Sequence, residues 1–441
     1  MIQVPMYLLF KRPAALLLFV ALTLVLAARG VVPALSKVDT DFPNYFTAAK
    51  IMADGGDTDR LYDNGWFQDQ MRRYQIGKAS EGEFKPFPPP TALLLVPLTR
   101  LQPLNALRVL TCVSVLCLVC SISLLAKILS WSLVDSAVFV LLSGYATLNA
   151  LRFGQPYILV SLSCILGYYA HLKRRPLLAG MCFGLFTPIK YFPVIILIYF
   201  AFRKEWKVVF GGAISILIVT SASIGVLGWK IHEDFLFSVL GNHLIAKLDL
   251  QDPFTASYQS FDSLFRRLFI YDATLNPRPL WALPRLHSVG LIVTKVSIFL
   301  AAIATLVKLA RSGAASTTGL SIGILGIFTL LLAPATATYH FVLLWLPVGL
   351  VINCFFRESA PLYAYFVLGA YSLIGFFPYG HAYRFEGRGG LTVLAYPRLF
   401  LLLAIFMVCV YFIWNRTEPN REARTRESPL FLDGKPLHDP G

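Results

Sequence analysis

Residues 41–50 read DFPNYFTAAK, and helical spacing puts Asp41, Tyr45, Ala48 and Ala49 on one face. A carboxylate there has two readings. It can meet the unpaired N–H groups of a helix N-terminus, or it can take a proton as a general base. Asp39, Tyr62 and Asp63 lie nearby, and Gly55 and Gly56 end the stretch. In NALRFGQPYILV, Gly154 and Pro156 suit a turn, but a turn does not ask for Arg152 and Gln155. In GLFTPIKYFPVIILIYF, Lys190 stands between Pro188 and Pro193 in otherwise apolar sequence. It could snorkel to an interface. A cation at a helix break of that depth is read first as a functional group facing a cavity.

Other polar groups carry weaker signals. Lys85 precedes the prolines of FKPFPPPTALLLVPL, where it could touch a phosphate or anchor an interface. That apolar run is short enough to be re-entrant or interfacial. Gln259, Ser260, Arg266 and Arg267 fall in SYQSFDSLFRRLF, and paired arginines could clamp a phosphate. Tyr339, His340, His381 and Arg384 lie in later loops, and Lys295 is a second cation in apolar sequence. Histidines this scattered do not make a metal centre, and neither a metal nor a cofactor is expected.

The elements that must hold these groups are membrane helices. Of 441 residues, 56% are hydrophobic and 14% charged, with mean hydropathy +0.64. A soluble domain carries roughly 25% charged residues, so an all-α polytopic membrane protein is expected. The formal charge of +15 is spread among apolar segments, which suits a membrane lipid surface and no nucleic acid. All seven cysteines (112, 117, 120, 164, 182, 354 and 409) fall in apolar stretches as packing residues. Residues 11–35 read as a retained signal anchor.

Candidate spans are Ala14–Leu35, Leu104–Leu129, Leu133–Asn149, Tyr157–Ala170, Leu177–Ile189, Tyr191–Phe202, Val208–Leu227, Val289–Leu306, Gly319–Leu332, Tyr339–Cys354, Leu362–Phe377 and Ala395–Trp414. That makes about twelve crossings, with the pair around Lys190 readable as one helix kinked at Pro188. With Lys11 and Arg12 in the cytoplasm, the basic turns LAKILSW, HLKRRP, FRKEWK, KLARSG and FFRES all fall inside. Residues 1–414 then form the transmembrane domain, with extracytoplasmic loops at 36–103 and 229–286 and a disordered cytoplasmic tail at 415–441. Both termini are cytoplasmic, and the chemically interesting clusters share the outer face. No phosphate-cradling Gly-rich motif faces the cytoplasm, so a donor must be borne by a lipid.

The order of motifs resembles glycosyltransferase family 87. They are Asp-x-x-x-Tyr-x-x-Ala-Ala, Gly-Gly, Leu-Tyr-Asp, Pro-Phe-Pro-Pro, Gly-Gln and Ile-Lys-x-x-Pro, over about residues 36 to 350. The chain departs from the family at Tyr258, at Pro156 with Tyr157, and at Tyr191, differences that bear on the sugar and acceptor. The resemblance implies a GT-C-like bundle, a polyprenyl-phosphate sugar donor (mannose as the hexose), and an envelope glycolipid or glycan acceptor. It also implies that a carboxylate of the first outer loop is the catalytic base, here Asp41 with Asp39 as neighbour. Lys190, Arg152, Gln155, Tyr45, Lys85, Arg266 and His340 are the candidate donor-binding residues. The competing class is a transporter or flippase for a lipid-linked or anionic solute, which a broken helix and buried lysines would also suit.

Overall fold

The computed structural model describes residues 12–39, 41–76, 82–244, 252–312, 317–377 and 379–415. The tail after Asn415 lies outside these residues. Among them, helices account for the regular structure, and the sole strand-like pairing is an isolated bridge between Asp272 and Asn276.

The helices are α1 (Arg12–Ser36), α2 (Phe42–Ala53), α3 (Asn64–Arg73), α4 (Pro103–Leu129), α5 (Leu133–Leu141), α6 (Tyr145–Arg152), α7 (Tyr157–Leu172) and α8 (Pro176–Leu185). After them come α9 (Val194–Phe202), α10 (Trp206–Leu227), α11 (Phe261–Phe269), α12 (Pro284–Ser312), α13 (Thr317–Leu332), α14 (Thr338–Arg357), α15 (Pro361–Phe376) and α16 (Pro397–Asn415). Short helical turns fill parts of the connections.

Each of the apolar stretches expected to span lies mostly in helix. By length and apolarity, six can cross a membrane: α1, α4, α10, α12, α14 and α16. The pair α5 and α6 makes a seventh if counted together, but it is bent by 75°. The sequence suggested a single span, Leu133–Asn149, there. The bend falls at Gly144, whose φ of +51° suits glycine, and a Cβ at this position would strike the backbone oxygen of Gly375.

Burial arranges these helices in layers. The most apolar stretch of α14 is 83% buried, against 17% for α1 and α12. So α14 is the central post, while α1 and α12 turn Leu17, Leu24, Ile292 and Leu300 outward as a lipid-facing surface. The remaining apolar helices α7, α8, α9, α13 and α15 are shorter.

Two local features position the site. First, α8 and α10 touch backbone to backbone through small residues. A Cβ at Gly180 would meet the Val208 carbonyl, and one at Gly211 the Leu177 carbonyl. This contact fixes the end of α8. Beyond it, residues 186–193 leave the helix in a series of turns, a wider break than a single kink at Pro188. Pro188 and Pro193 both lack the N–H that would continue an α-helix. Second, α2 is packed between two apolar clusters. Phe42, Phe46 and Ala49 meet Leu95, Ala106 and Leu107, while Ala48 and Ile51 join the group of Leu61, Phe67 and Phe84. The run Pro89–Leu98 coils into tight helical turns against α2 and α10.

Candidate active site

Asp41 occupies the cap position of α2, yet its side chain accepts no hydrogen bond from the helix's first turn. Its carboxylate turns elsewhere. Gln155 Nε2 donates to Asp41 Oδ2 at 2.7 Å, and Tyr339 also hydrogen-bonds to this carboxylate. Asp63 shows the contrast, because it caps α3 by accepting from the Trp66 N–H at 3.1 Å and pairs with Arg60. The capping reading therefore describes Asp63 and not Asp41.

From Asp41 a chain of donors runs to Lys190. Tyr45 Oη donates to Gln155 Oε1 at 2.7 Å, and Lys190 Nζ lies 3.3 Å from Tyr45 Oη as its donor. Every bond in this chain points from cation towards anion, as it must if Lys190 is protonated and Asp41 ionised. Tyr45 reaches the relay because it follows Asp41 by one helical turn. Gln155 reaches it because Gly154 turns the chain at φ +62°, with its Cα pressed against Phe42 so closely that a Cβ would have no room. Gln155 is fully buried and Lys190 nearly so.

Lys190 sits in an aromatic cage. Its Nζ is 4.6 Å from the Phe87 ring centroid, 5.1 Å from Tyr157 and 5.6 Å from Tyr45. Tyr62 steadies this cage by donating to the Phe87 carbonyl at 2.7 Å. No carboxylate forms an ion pair with Lys190 among the described residues. Its charge is balanced through the relay and across an open cavity.

That cavity has a volume of about 840 Å³. Its polar wall carries Asp41, Asn44, Glu83, Lys85, Lys190, Tyr258, Tyr339 and His340, and its apolar wall Phe192, Val194, Ile195, Phe328 and Leu332. His340 Nδ1 accepts the Ala337 N–H at 3.1 Å, which leaves the proton of the neutral ring on Nε2. Burial raises the Asp41 carboxyl above its ordinary pKa, and the Gln155 hydrogen bond and the Lys190 charge only partly offset it. Burial, then the Asp41 charge, holds the Tyr45 phenol well above its usual value, so it remains a hydroxyl donor.

The predicted residues divide by location. Asp41, Lys85, Lys190 and His340 line the cavity, while Tyr45 and Gln155 stand behind it in the relay. Arg152 is not in the lining and donates to Asp39 Oδ2 at 3.1 Å. Arg266 lies outside it too, donating to Asp262 Oδ2 at 2.6 Å, and Arg267 reaches Glu386 at 2.8 Å. Both arginines therefore face carboxylates and not an open phosphate clamp. Gln259 holds backbone groups of Ala256, Ala395 and Arg398, and Ser260 caps α11. Lys295 and Arg384 are not in the lining either, Arg384 stacking on Phe385 instead.

Sequence reasoning missed Asn44 and Glu83. Asn44 follows Asp41 by three residues, so helical spacing alone could have placed it on the same side. Glu83 carried no such signal.

A family model, glycosyltransferase family 87, matches residues 86–334 of the chain. Comparison with curated proteins found no match, and neither did comparison with solved structures. The matched stretch runs from beside Lys85 through Arg152, Gln155 and Lys190 to the cavity wall at Pro334. Asp41, Tyr45 and His340 lie outside it.

Proposed function

The chain belongs to glycosyltransferase family 87 and is a membrane glycosyltransferase, and from that premise we propose its donor, acceptor class and catalytic base. It moves a hexose, mannose, from a polyprenyl-phosphate donor to an envelope glycolipid or glycan on the extracytoplasmic face. The observation that carries this reading is the Asp41 carboxylate, turned from its helix N-terminus onto a cavity that also holds a caged lysine.

In this reading Asp41 takes the proton of the acceptor hydroxyl as that oxygen bonds to C1 of the sugar. The bond from C1 to the phosphate oxygen breaks, its electron pair leaves with the phosphate, and a single displacement inverts C1. Lys190 faces the developing phosphate charge, with Lys85 on the same polar wall. His340 Nε2–H and Tyr258 offer hydrogen bonds to sugar hydroxyls. Gln155 and Tyr45 act through Asp41 and Lys190, holding their geometry. Arg152 positions Asp39, and Arg266 stays outside the donor site. The apolar wall of Phe192, Ile195, Phe328 and Leu332 suits the first isoprene units of the lipid.

The corresponding architecture is a GT-C-like bundle of about twelve crossings with both termini cytoplasmic, Asp41 in a large first outer loop and a second outer loop at 229–286. Cysteine introduced at exposed Asp57 should react with an impermeant maleimide in intact cells, in a background lacking the native cysteines. Cysteine at exposed Arg174 should react only after permeabilisation. The opposite pattern would reverse the faces.

The direct test is transfer of radiolabel from polyprenyl-phosphate mannose to an extracted envelope acceptor fraction by the detergent-purified protein. Transfer without a sealed compartment is the expected result. No transfer, together with movement of the same lipid across proteoliposomes, would make the protein a flippase.

A further inference from the structure

A second polar pocket lies behind the α14 wall of the cavity. Its volume is about 390 Å³, and its lining includes Tyr145 and Asn149 of α6, Thr338 at the start of α14, Tyr379, His381 and Arg398. Thr338 stands between Ala337 and Tyr339, which both line the first cavity, so the two pockets meet at this turn of α14.

Arg398 is the unusual group. It is 2% exposed, yet among the described residues no carboxylate pairs with it and none lines the pocket. Its Nε donates to the Ile374 carbonyl at 3.1 Å and its Nη1 to Thr338 Oγ1 at 2.6 Å, and the guanidinium carbon lies over Tyr379, 3.2 Å from the ring centroid. These contacts orient the cation but leave its charge unneutralised. The other buried arginine of this end, Arg267, has Glu386 within 2.8 Å. A second cation approaches from the chain's other end, where Arg29 Nη1 lies 3.4 Å from Tyr145 Oη as its donor. His381 stands exposed at the mouth. A buried cation is retained when something compensates it, and a phosphate oxygen in this pocket would do so with donors from a guanidinium, an imidazole and an amide.

We propose that this pocket is a second anion site that takes a phosphate group, separate from the Lys190 cavity. The group is borne by a lipid headgroup or is free phosphate. Because the Thr338 turn is shared, an anion bound here also braces the strip of α14 that carries Tyr339 and His340.

The test is the thermal midpoint of the full-length protein in neutral detergent. It is titrated with inorganic phosphate in one arm, and in the other with phosphatidylglycerol against phosphatidylcholine. A saturable rise is expected in at least one arm, and the arm identifies the source. Arg398→Gln should abolish the rise. His381→Ala, at the exposed mouth and safe for folding, should weaken the apparent affinity roughly 10-fold or more, as for loss of one charge-assisted hydrogen bond. Lys190→Ala should leave the rise intact. No rise in either arm would overturn the proposal, as would a rise that survives in both His381→Ala and Arg398→Gln. Loss of the rise in Lys190→Ala alone would assign the anion to the first cavity. If Arg398→Gln does not fold, His381→Ala and Lys190→Ala still decide.

Discussion

Two clusters that each hold a buried carboxylate and a cation behave in opposite ways. At α11, Asp262 is closed off by Arg266 at 2.6 Å and His287 at 3.1 Å, while Arg267 is held by Glu386 and by the carbonyls of Phe254 and Leu275. Each charge is met at contact distance. At the cavity, Asp41 and Lys190 do not touch. Two neutral side chains, Gln155 and Tyr45, stand between them, and both charged groups face open volume. Paired charges hold a loop in place. Separated charges keep unspent capacity for a substrate, at a cost to stability.

The two carboxylates show this in their pKa values. Burial raises Asp41, whereas at Asp262 burial is outweighed by the His287 and Arg266 contacts and the carboxyl is lowered. The signs of linkage are opposite. With a raised folded pKa, Asp41 supports the fold while protonated, and that support is lost as pH rises through the folded value. With a lowered pKa, Asp262 supports the fold above the unfolded value and loses this as pH falls through the folded one.

The comparison breaks most visibly at Asp41. Asp41→Asn keeps the shape and one acceptor oxygen for Gln155 but cannot accept the proton, so turnover should fall about 10²–10⁴-fold. At neutral pH the same variant should melt at a higher temperature than the parent, whereas Asp262→Asn should melt lower. Differential scanning fluorimetry beside the transfer assay reads both. Normal turnover in Asp41→Asn would leave the carboxylate without a catalytic role.

Arg267→Ala is the complementary break. Removing it leaves Glu386 half-buried without its cation, with only the Ala256 N–H still donating to it, which should cost on the order of 3 kcal/mol of stability. Turnover per folded molecule should hold. A variant that is stable but inactive would move the α11 cluster into the active machinery.

Lys190→Ala should weaken donor use by roughly 10- to 150-fold, the value of about 1.5–3 kcal/mol for one charge-assisted contact. Lys190→Arg should recover part of it. The loss should appear when donor is varied and not when acceptor is varied. Equal kinetics in a well-folded Ala variant would return the lysine to a packing role.

The smallest effect is expected at Asp39. Its pair with Arg152 is partly exposed, with side-chain exposures of 20% and 33%, and such pairs are worth about 0–1 kcal/mol. Asp39→Asn should therefore shift the melting temperature by only a degree or two and leave turnover within several-fold. A loss as deep as that of Asp41→Asn would transfer the base to Asp39.

Much of this molecule follows from local sequence. Apolar runs fix the helices, because a backbone in hydrocarbon must satisfy its own hydrogen bonds. The prolines flanking Lys190 announce a break, and Asp41 with Tyr45 one turn later announces a polar face. None of that required knowing which parts of the chain meet. The pairings did require it. Arg152 and Gln155 are three residues apart and looked equivalent, yet the turn at Gly154 sends one to Asp39 and the other to Asp41. Arg266 and Arg267 resembled a phosphate clamp until Asp262, four residues before Arg266, and Glu386, far along the chain, took their charges. Arg398 attracted no reading in the sequence and proves buried without a carboxylate partner among the described residues. A side chain's type and periodicity are properties of its own segment. Whether its charge or polar group is met often depends on residues more than a hundred positions away, as for Arg152, Gln155 and Arg267, and only the packed fold brings those together.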